Sequence, residues 1–117
     1  MALRLTFLGT RGGIRIRSRL HRRHSALLIQ HRGARVVIDC GEDWRERIGM
    51  LEPTALLITH AHPDHAAGLA GGAPCPVHAS PTTCRALAPL PIDLRSLTLR
   101  TTQVIAGLSI EAIPVIH

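Results

Sequence analysis

The residues most able to do chemistry are gathered in one short stretch, His60-Ala61-His62-Pro63-Asp64-His65, where three imidazoles and a carboxylate fall within six positions. An isolated histidine is more often a satisfied structural residue than a ligand, but these three stand together at the exit of an apolar run, Ala55 to Thr59, and that grouping points to metal ligation. The spacing supports it. Residues two apart in an extended segment project to the same side, so His60 and His62 can reach one ion. Pro63 then turns the chain and sends Asp64 and His65 to a neighbouring position, about 3.5–4 Å away, the separation of the ions in two-metal sites. Imidazole with carboxylate suits Zn2+, and also Mn2+ or Fe2+, better than calcium or magnesium. A plainer reading makes Asp64 the cap of a following helix, but it leaves three flanking histidines unaccounted for. His21, His24, His31 and His78 lack such grouping and read as surface or structural residues, and His117 taken alone carries no signal.

The elements that must position this stretch follow from periodicity. Residues 3–8 alternate as a strand and run into the glycine-rich Gly9-Thr10-Arg11-Gly12-Gly13, followed by a loop over 14–23 with no helical or strand period. The apolar runs 25–30 and 35–39, joined by His31-Arg32-Gly33-Ala34, form a hairpin. Acids at the start of 42–51, with Trp44, Ile48 and Leu51 at helical spacing, predict an amphipathic helix lying on a sheet. Residues 55–59 make a buried strand that delivers the chain into the histidine cluster, and 66–69 a helical turn. Strands over 76–79, 97–101 and 108–116, with a proline-started helix over 81–88, complete an α/β layered architecture without internal repeat or linker.

The 117 residues suit a single domain. With 45% hydrophobic residues, 10 Gly and 8 Pro, the composition is globular and excludes disordered and fibrous classes. No run approaches the roughly 20 apolar residues of a membrane helix, and the N-terminus alternates like a strand instead of forming a signal peptide, so a soluble, cytoplasmic protein with no membrane partner is expected. Three cysteines, Cys40, Cys75 and Cys84, include no C-x-x-C pair and read as free thiols. Phe7 and Trp44 are the only aromatics, too few for base-stacking platforms. All 14 cationic side chains are Arg, and eight of them lie between Arg11 and Arg35. Guanidinium forks bind phosphate bidentately, so an anionic or phosphorylated substrate is expected beside this stretch.

Four ordered segments, Leu5-Thr-Phe-Leu-Gly-Thr10, Val37-Ile-Asp-Cys-Gly-Glu42, Ile58-Thr-His-Ala-His-Pro-Asp-His65 and Ile113-Pro-Val-Ile-His117, resemble the metallo-β-lactamase superfamily, most of all its branch containing ribonuclease Z and the phosphodiesterases of phosphonate breakdown. The resemblance implies an αββα sandwich, with His60, His62 and His117 on a first zinc and Asp64 and His65 on a second. Asp64 would take the catalytic part. Asp39 would support the histidine loop by hydrogen bonds from outside the ligand set; read from the residues alone, it could equally satisfy backbone donors in a turn before Gly41. In that family a metal-bound hydroxide attacks phosphorus or a carbonyl, and Arg11, Arg15 and Arg17 would hold the substrate phosphate, on a phosphorylated small molecule or an RNA end.

The resemblance covers the first half of that sandwich: residues 1–117 would form one domain truncated after the third zinc-ligand histidine, with the bridging aspartate and last histidine downstream. One zinc per chain, weak or absent hydrolysis, and an apolar sheet face open to homodimerisation are the expected consequences. Three functions fit: a zinc-dependent hydrolase of phosphodiesters, a non-catalytic partner module of the same fold, or a basic nucleic-acid-binding domain with incidental histidines.

Overall fold

The computed structural model describes residues 3–13 and 23–115. Its centre is a six-stranded mixed sheet in sequence order: β1 (Arg4–Gly9), β2 (Ala26–His31), β3 (Ala34–Ile38), β4 (Ala55–Ile58), β5 (Val77–Ala79) and β6 (Leu94–Ser96). The first three strands pair antiparallel, and β3 through β6 run parallel. Parallel pairing requires crossovers. These are two 3-10 turns between β3 and β4, the single helical turn α1 (Pro63–Ala66) with a further 3-10 turn Ala67–Leu69 between β4 and β5, and helix α2 (Pro81–Leu87) between β5 and β6.

Alternation along the strands divides the core. Leu28, Val37, Leu56, Ile58, Val77 and Ala79 face the crossover layer, where Trp44, Ile48, Leu69 and Leu87 meet them. Val36, Ala55 and Leu57 point to the opposite face. There a hairpin, β7 (Thr102–Ile105) and β8 (Leu108–Glu111), packs Ile105, Leu108 and Ile110 over them. Its two-residue turn places Ala106 at φ 52° and Gly107 at φ 81°, the left-handed pair that matches strand twist.

The helix expected over 42–51 is instead two 3-10 turns, Glu42–Trp44 and Ile48–Leu51. Arg45 between them is extended, and Glu46 has φ 69°. The apolar spacing read as helical still buries Trp44 and Ile48, because tight turns present residues three and four apart to the same surface. The strand expected over 97–101 lies earlier, at Leu94–Ser96; Leu97 turns its side chain into the hairpin cluster, and Arg100 at φ 58° ends any extended run. The last strand stops at Glu111, beyond which Ala112 makes only an isolated bridge to Leu99 before Pro114.

The sheet face expected to be bare is thus partly covered by the chain's own hairpin. Beside it, Leu3, Leu5 and Phe7 remain 52%, 52% and 71% exposed. Leu5 and Phe7 pair with Ile29 and Leu27, and Ile29 packs against the hairpin cluster, so the three extend that apolar face along the edge strand. Among the described residues no helix is long and apolar enough to cross a membrane.

Candidate metal centre

The parallel register of β3 and β4 builds the site. Ile38 lies opposite Leu57, and the Asp39 amide donates to the Leu57 carbonyl at 2.8 Å, so the residues leaving the two strands, Asp39 and Thr59, emerge side by side. This is the carboxyl end of the parallel strands, where open α/β sheets bind ligands. Asp39 adopts φ 63°, a left-handed conformation that aspartate tolerates better than most residues, and its carboxylate is buried. Oδ1 accepts from the Thr59 amide at 2.8 Å. Oδ2 accepts from the Thr59 hydroxyl at 2.7 Å and lies 2.6 Å from His65 Nδ1.

The turn after Asp39 holds the histidine loop by its backbone. The Cys40 amide donates to the His65 carbonyl at 2.8 Å, and the Gly68 amide to the Cys40 carbonyl at 3.0 Å. Two glycines permit this approach: a Cβ on Gly41 would stand 2.3 Å from the Asp64 carbonyl oxygen and 2.2 Å from His24 Cβ, and one on Gly68 would stand 2.7 Å from the carbonyl oxygens of Cys40 and Gly41. Burial, with the Asp39 charge adjacent and Cys75 nearby, pushes the Cys40 thiol up to about 12. It is a packed apolar group, not a thiolate ligand.

Ligand atoms of His60, His62 and Asp64 lie within 4.8 Å of one another. The His60 ring centroid is 4.8 Å from that of His62 and 4.2 Å from that of His65. His65 Nδ1 donates to Asp39, which in a neutral ring leaves Nε2 as a bare lone pair, yet that nitrogen sits 3.1 Å from Asp64 Oδ2. A proton on Nε2 or a metal cation beside the pair satisfies that contact, and imidazole with carboxylate is a donor set that divalent transition metals accept. Asp64 lies inside the first turn of α1, whose N-cap position belongs to His62.

The arginine stretch is anchored beside this loop. A Cβ built on Gly12 or Gly13 would be 3.9 Å from the Asp64 carboxyl group, so the loop's entry borders the site. Arg11, expected on a substrate phosphate, is instead 5% exposed and paired with Asp43 at 2.7 Å. The physical reason is local: Asp43 also accepts from the His24 amide at 2.9 Å, and its own amide donates to His24 Nδ1 at 3.2 Å, so one carboxylate ties both arms of the loop to the first 3-10 turn. Partial burial pushes the Asp43 carboxyl upward, but the Arg11 bond, the His24 amide and the nearby charges outweigh it and hold it below its ordinary value. Trp44 Nε1 donates to the His24 carbonyl at 2.8 Å, and the Arg23 guanidinium lies 5.3 Å over the Trp44 ring. Arg15, Arg17 and His117 lie outside the described residues.

Thr59, Gly41, Gly68, His24 and Asp43 are the site-building residues that residue type and spacing did not single out. Thr59 offered a signal only in hindsight of pairing, as a hydroxyl directly before the first histidine.

Fold and site together define a class: an α/β protein whose histidine and aspartate side chains, on loops at the carboxyl ends of parallel strands, could hold a metal ion. The sequence model of the Metallo-beta-lactamase superfamily matches residues 21–74. The chain is 29% identical to a Ribonuclease Z of Bradyrhizobium diazoefficiens, in a match covering 97% of this chain and 46% of that protein. It is 36% identical to a Ribonuclease Z of Methanosarcina acetivorans over 59% of this chain and 23% of that one. Among solved structures, a diphosphatase of the PhnP family superposes with a TM-score of 0.68 at 22% identity, over 92% of this chain and 56% of that one. Zn2+-bound PqqB from Methylobacterium extorquens superposes with a TM-score of 0.65 at 17% identity, over 85% and 47%. Over these residues the chain is similar to the metallo-β-lactamase superfamily, and its fold is that of the solved structures it superposes on. It spans about half the length of the Bradyrhizobium relative, 46%, and its mixed sheet with one crossover layer corresponds to the first half of the αββα sandwich.

Proposed function

We propose that the chain is the N-terminal part of a metal-dependent hydrolase that cleaves phosphodiesters, with zinc as its metal and a phosphorylated small molecule or an RNA end as substrate. The observation that carries this reading is the convergence of His60, His62 and Asp64 within 4.8 Å beside a His65 that Asp39 orients. The relatives named Ribonuclease Z act, by that name, on the phosphodiester bonds of RNA, which supports the substrate class.

A divalent ion held there would supply Lewis acidity toward a phosphoryl oxygen. The chain's own residues do the rest. His60, His62, Asp64 and His65 supply the ligands, joined in this reading by His117. Asp39 fixes His65 so that one ring nitrogen is turned to the ion, and the 39–41 turn keeps the loop from relaxing around it. Asp64, bordered by Gly12 and Gly13, takes the catalytic part. Arg15 and Arg17 hold the phosphate, while Arg11 anchors the loop's base. The three free thiols agree with a cytoplasmic setting. With the ligands this chain supplies, it holds one zinc well and hydrolyses slowly, and the edge face of Leu3, Leu5 and Phe7 supports self-association.

Hydrolysis of bis-p-nitrophenyl phosphate by the zinc-loaded chain tests the reading. Slow release of p-nitrophenol that chelator and His62→Ala abolish is expected. A rate indifferent to both overturns it. Tight zinc binding with no hydrolysis favours the non-catalytic module, and steeply salt-dependent RNA affinity without bound metal favours the nucleic-acid-binding domain.

A further inference from the structure

We propose that Thr59 is a positioning residue for the metal centre: its hydroxyl relays the hydrogen-bond demand of Asp39 to His60, so that one carboxylate sets the ring orientation and tautomer of two ligand histidines. The inference rests on the reading of His60 and His65 as metal ligands.

Thr59 Oγ1 lies 2.7 Å from Asp39 Oδ2 and 2.9 Å from His60 Nδ1. A hydroxyl has one hydrogen, and an ionised carboxylate can only accept, so that hydrogen belongs to Asp39. What Thr59 turns toward His60 is therefore a lone pair, and His60 Nδ1 must carry the proton that fills the 2.9 Å contact. In the neutral ring, Nε2 then carries the lone pair. His65 reaches the same state by a direct bond, Nδ1 to Asp39 Oδ2 at 2.6 Å. The two rings, with centroids 4.2 Å apart, thus both present Nε2 as the ligand atom, one governed by Asp39 and the other by Asp39 through Thr59.

The arrangement is long-range in origin. Thr59 is the first residue after β4, and its amide and hydroxyl both reach Asp39 because β3 ends beside it. Two anchors from one residue fix the point at which the strand becomes the ligand loop. Removing the hydroxyl leaves the amide anchor intact and takes away the acceptor that selects the Nδ1–H tautomer of His60. A ligand that must be reoriented before it binds weakens the metal, by about 10–100-fold for partners of this kind.

Two measurements on the 117-residue chain decide it. Long-range nitrogen–proton correlation spectra of the metal-free protein, at alkaline pH where the imidazoles are neutral, read the His60 tautomer directly. Competition against a chromophoric chelator reads Zn2+ affinity. The native chain and Thr59→Ser are expected to hold His60 as the Nδ1–H tautomer and to bind zinc alike. Thr59→Val is expected to show mixed tautomers and zinc affinity about 10–100-fold lower, with Trp44 emission unchanged. Thr59→Val that keeps both the tautomer and the affinity overturns the relay. If that variant does not fold, the native spectrum still decides, because His60 protonated on Nε2 is incompatible with it. Native protein that binds no zinc overturns the metal reading instead, while the tautomer result continues to judge the relay.

Discussion

Gly41→Ala probes the contact on which the geometry of the site depends. Gly41 has φ −68° and ψ −177°, extended backbone open to any residue, so the conformation does not demand glycine. Space does. The added Cβ would stand 2.3 Å from the Asp64 carbonyl oxygen and 2.2 Å from His24 Cβ, and ordinary contact begins at 3.4 Å. The Asp64 backbone would have to withdraw by about 1.1 Å, the difference between 3.4 and 2.3 Å, while pressure on the other side falls on the base of the arginine loop. Neither neighbour is the end of a flexible side chain. Overpacking of well-filled sites costs about 1–3 kcal/mol, and a backbone clash on two sides belongs at or above the top of that range, about 3 kcal/mol. For a domain of this size that is a fall in Tm of roughly 10 °C. Urea denaturation followed by the fluorescence of Trp44, the single tryptophan and 4% exposed in the same turn, measures it. Gly49→Ala is the control, since nothing lies within 4 Å of its added Cβ. It should leave stability within about 0.5 kcal/mol, as surface substitutions usually do. Gly41→Ala as stable as the native chain would refute the packing of the 39–41 turn against the ligand loop.

Further outcomes follow from the same geometry. Asp39→Asn keeps an acceptor for the Thr59 amide but presents N–H groups toward His65 Nδ1, a donor facing a donor, so chelator competition should find zinc affinity about 10–100-fold weaker. The Asp43 carboxyl is held below its ordinary value in the folded chain, so its contribution to stability is complete above the unfolded aspartate pKa of about 3.9 and is lost as pH falls through the lower folded value. Urea midpoints across that acid range should therefore fall less steeply in Asp43→Asn, which at neutral pH should be less stable by about 1.5–3 kcal/mol, the worth of a hydrogen bond to a charged group. Phe7→Ser, removing a side chain 71% exposed on the edge strand, should lower self-association in sedimentation velocity without moving the urea midpoint.

Local chemistry was readable from the residues, and long-range placement was not. The hairpin of β2 and β3 follows from two apolar runs about a tight turn, and α2 from the proline at its start; the Ser80 hydroxyl, accepting from the Thr83 amide as N-cap, is added by the structure. The 42–51 segment was misread because its apolar spacing fits a helix and two 3-10 turns equally well, and nothing in the residue type marks Glu46 or Glu52 as left-handed. The same division holds at the site. The histidines and Asp64 declare themselves by type and spacing. Thr59 becomes informative only when the β3–β4 register sets it beside Asp39, and Asp43 only when His24 and Arg11, 19 and 32 residues away, close on it. Arg11 shows the converse: the family resemblance puts it among the loop's phosphate ligands, and burial against Asp43 gives it to the scaffold.

Calorimetric titration of the native chain with Zn2+, beside His60→Ala and His62→Ala, tests whether this cluster is a metal centre. One tightly bound zinc per native chain is expected, with loss of that site in both variants. No tight binding by the native chain, or binding that survives both substitutions, would contradict it.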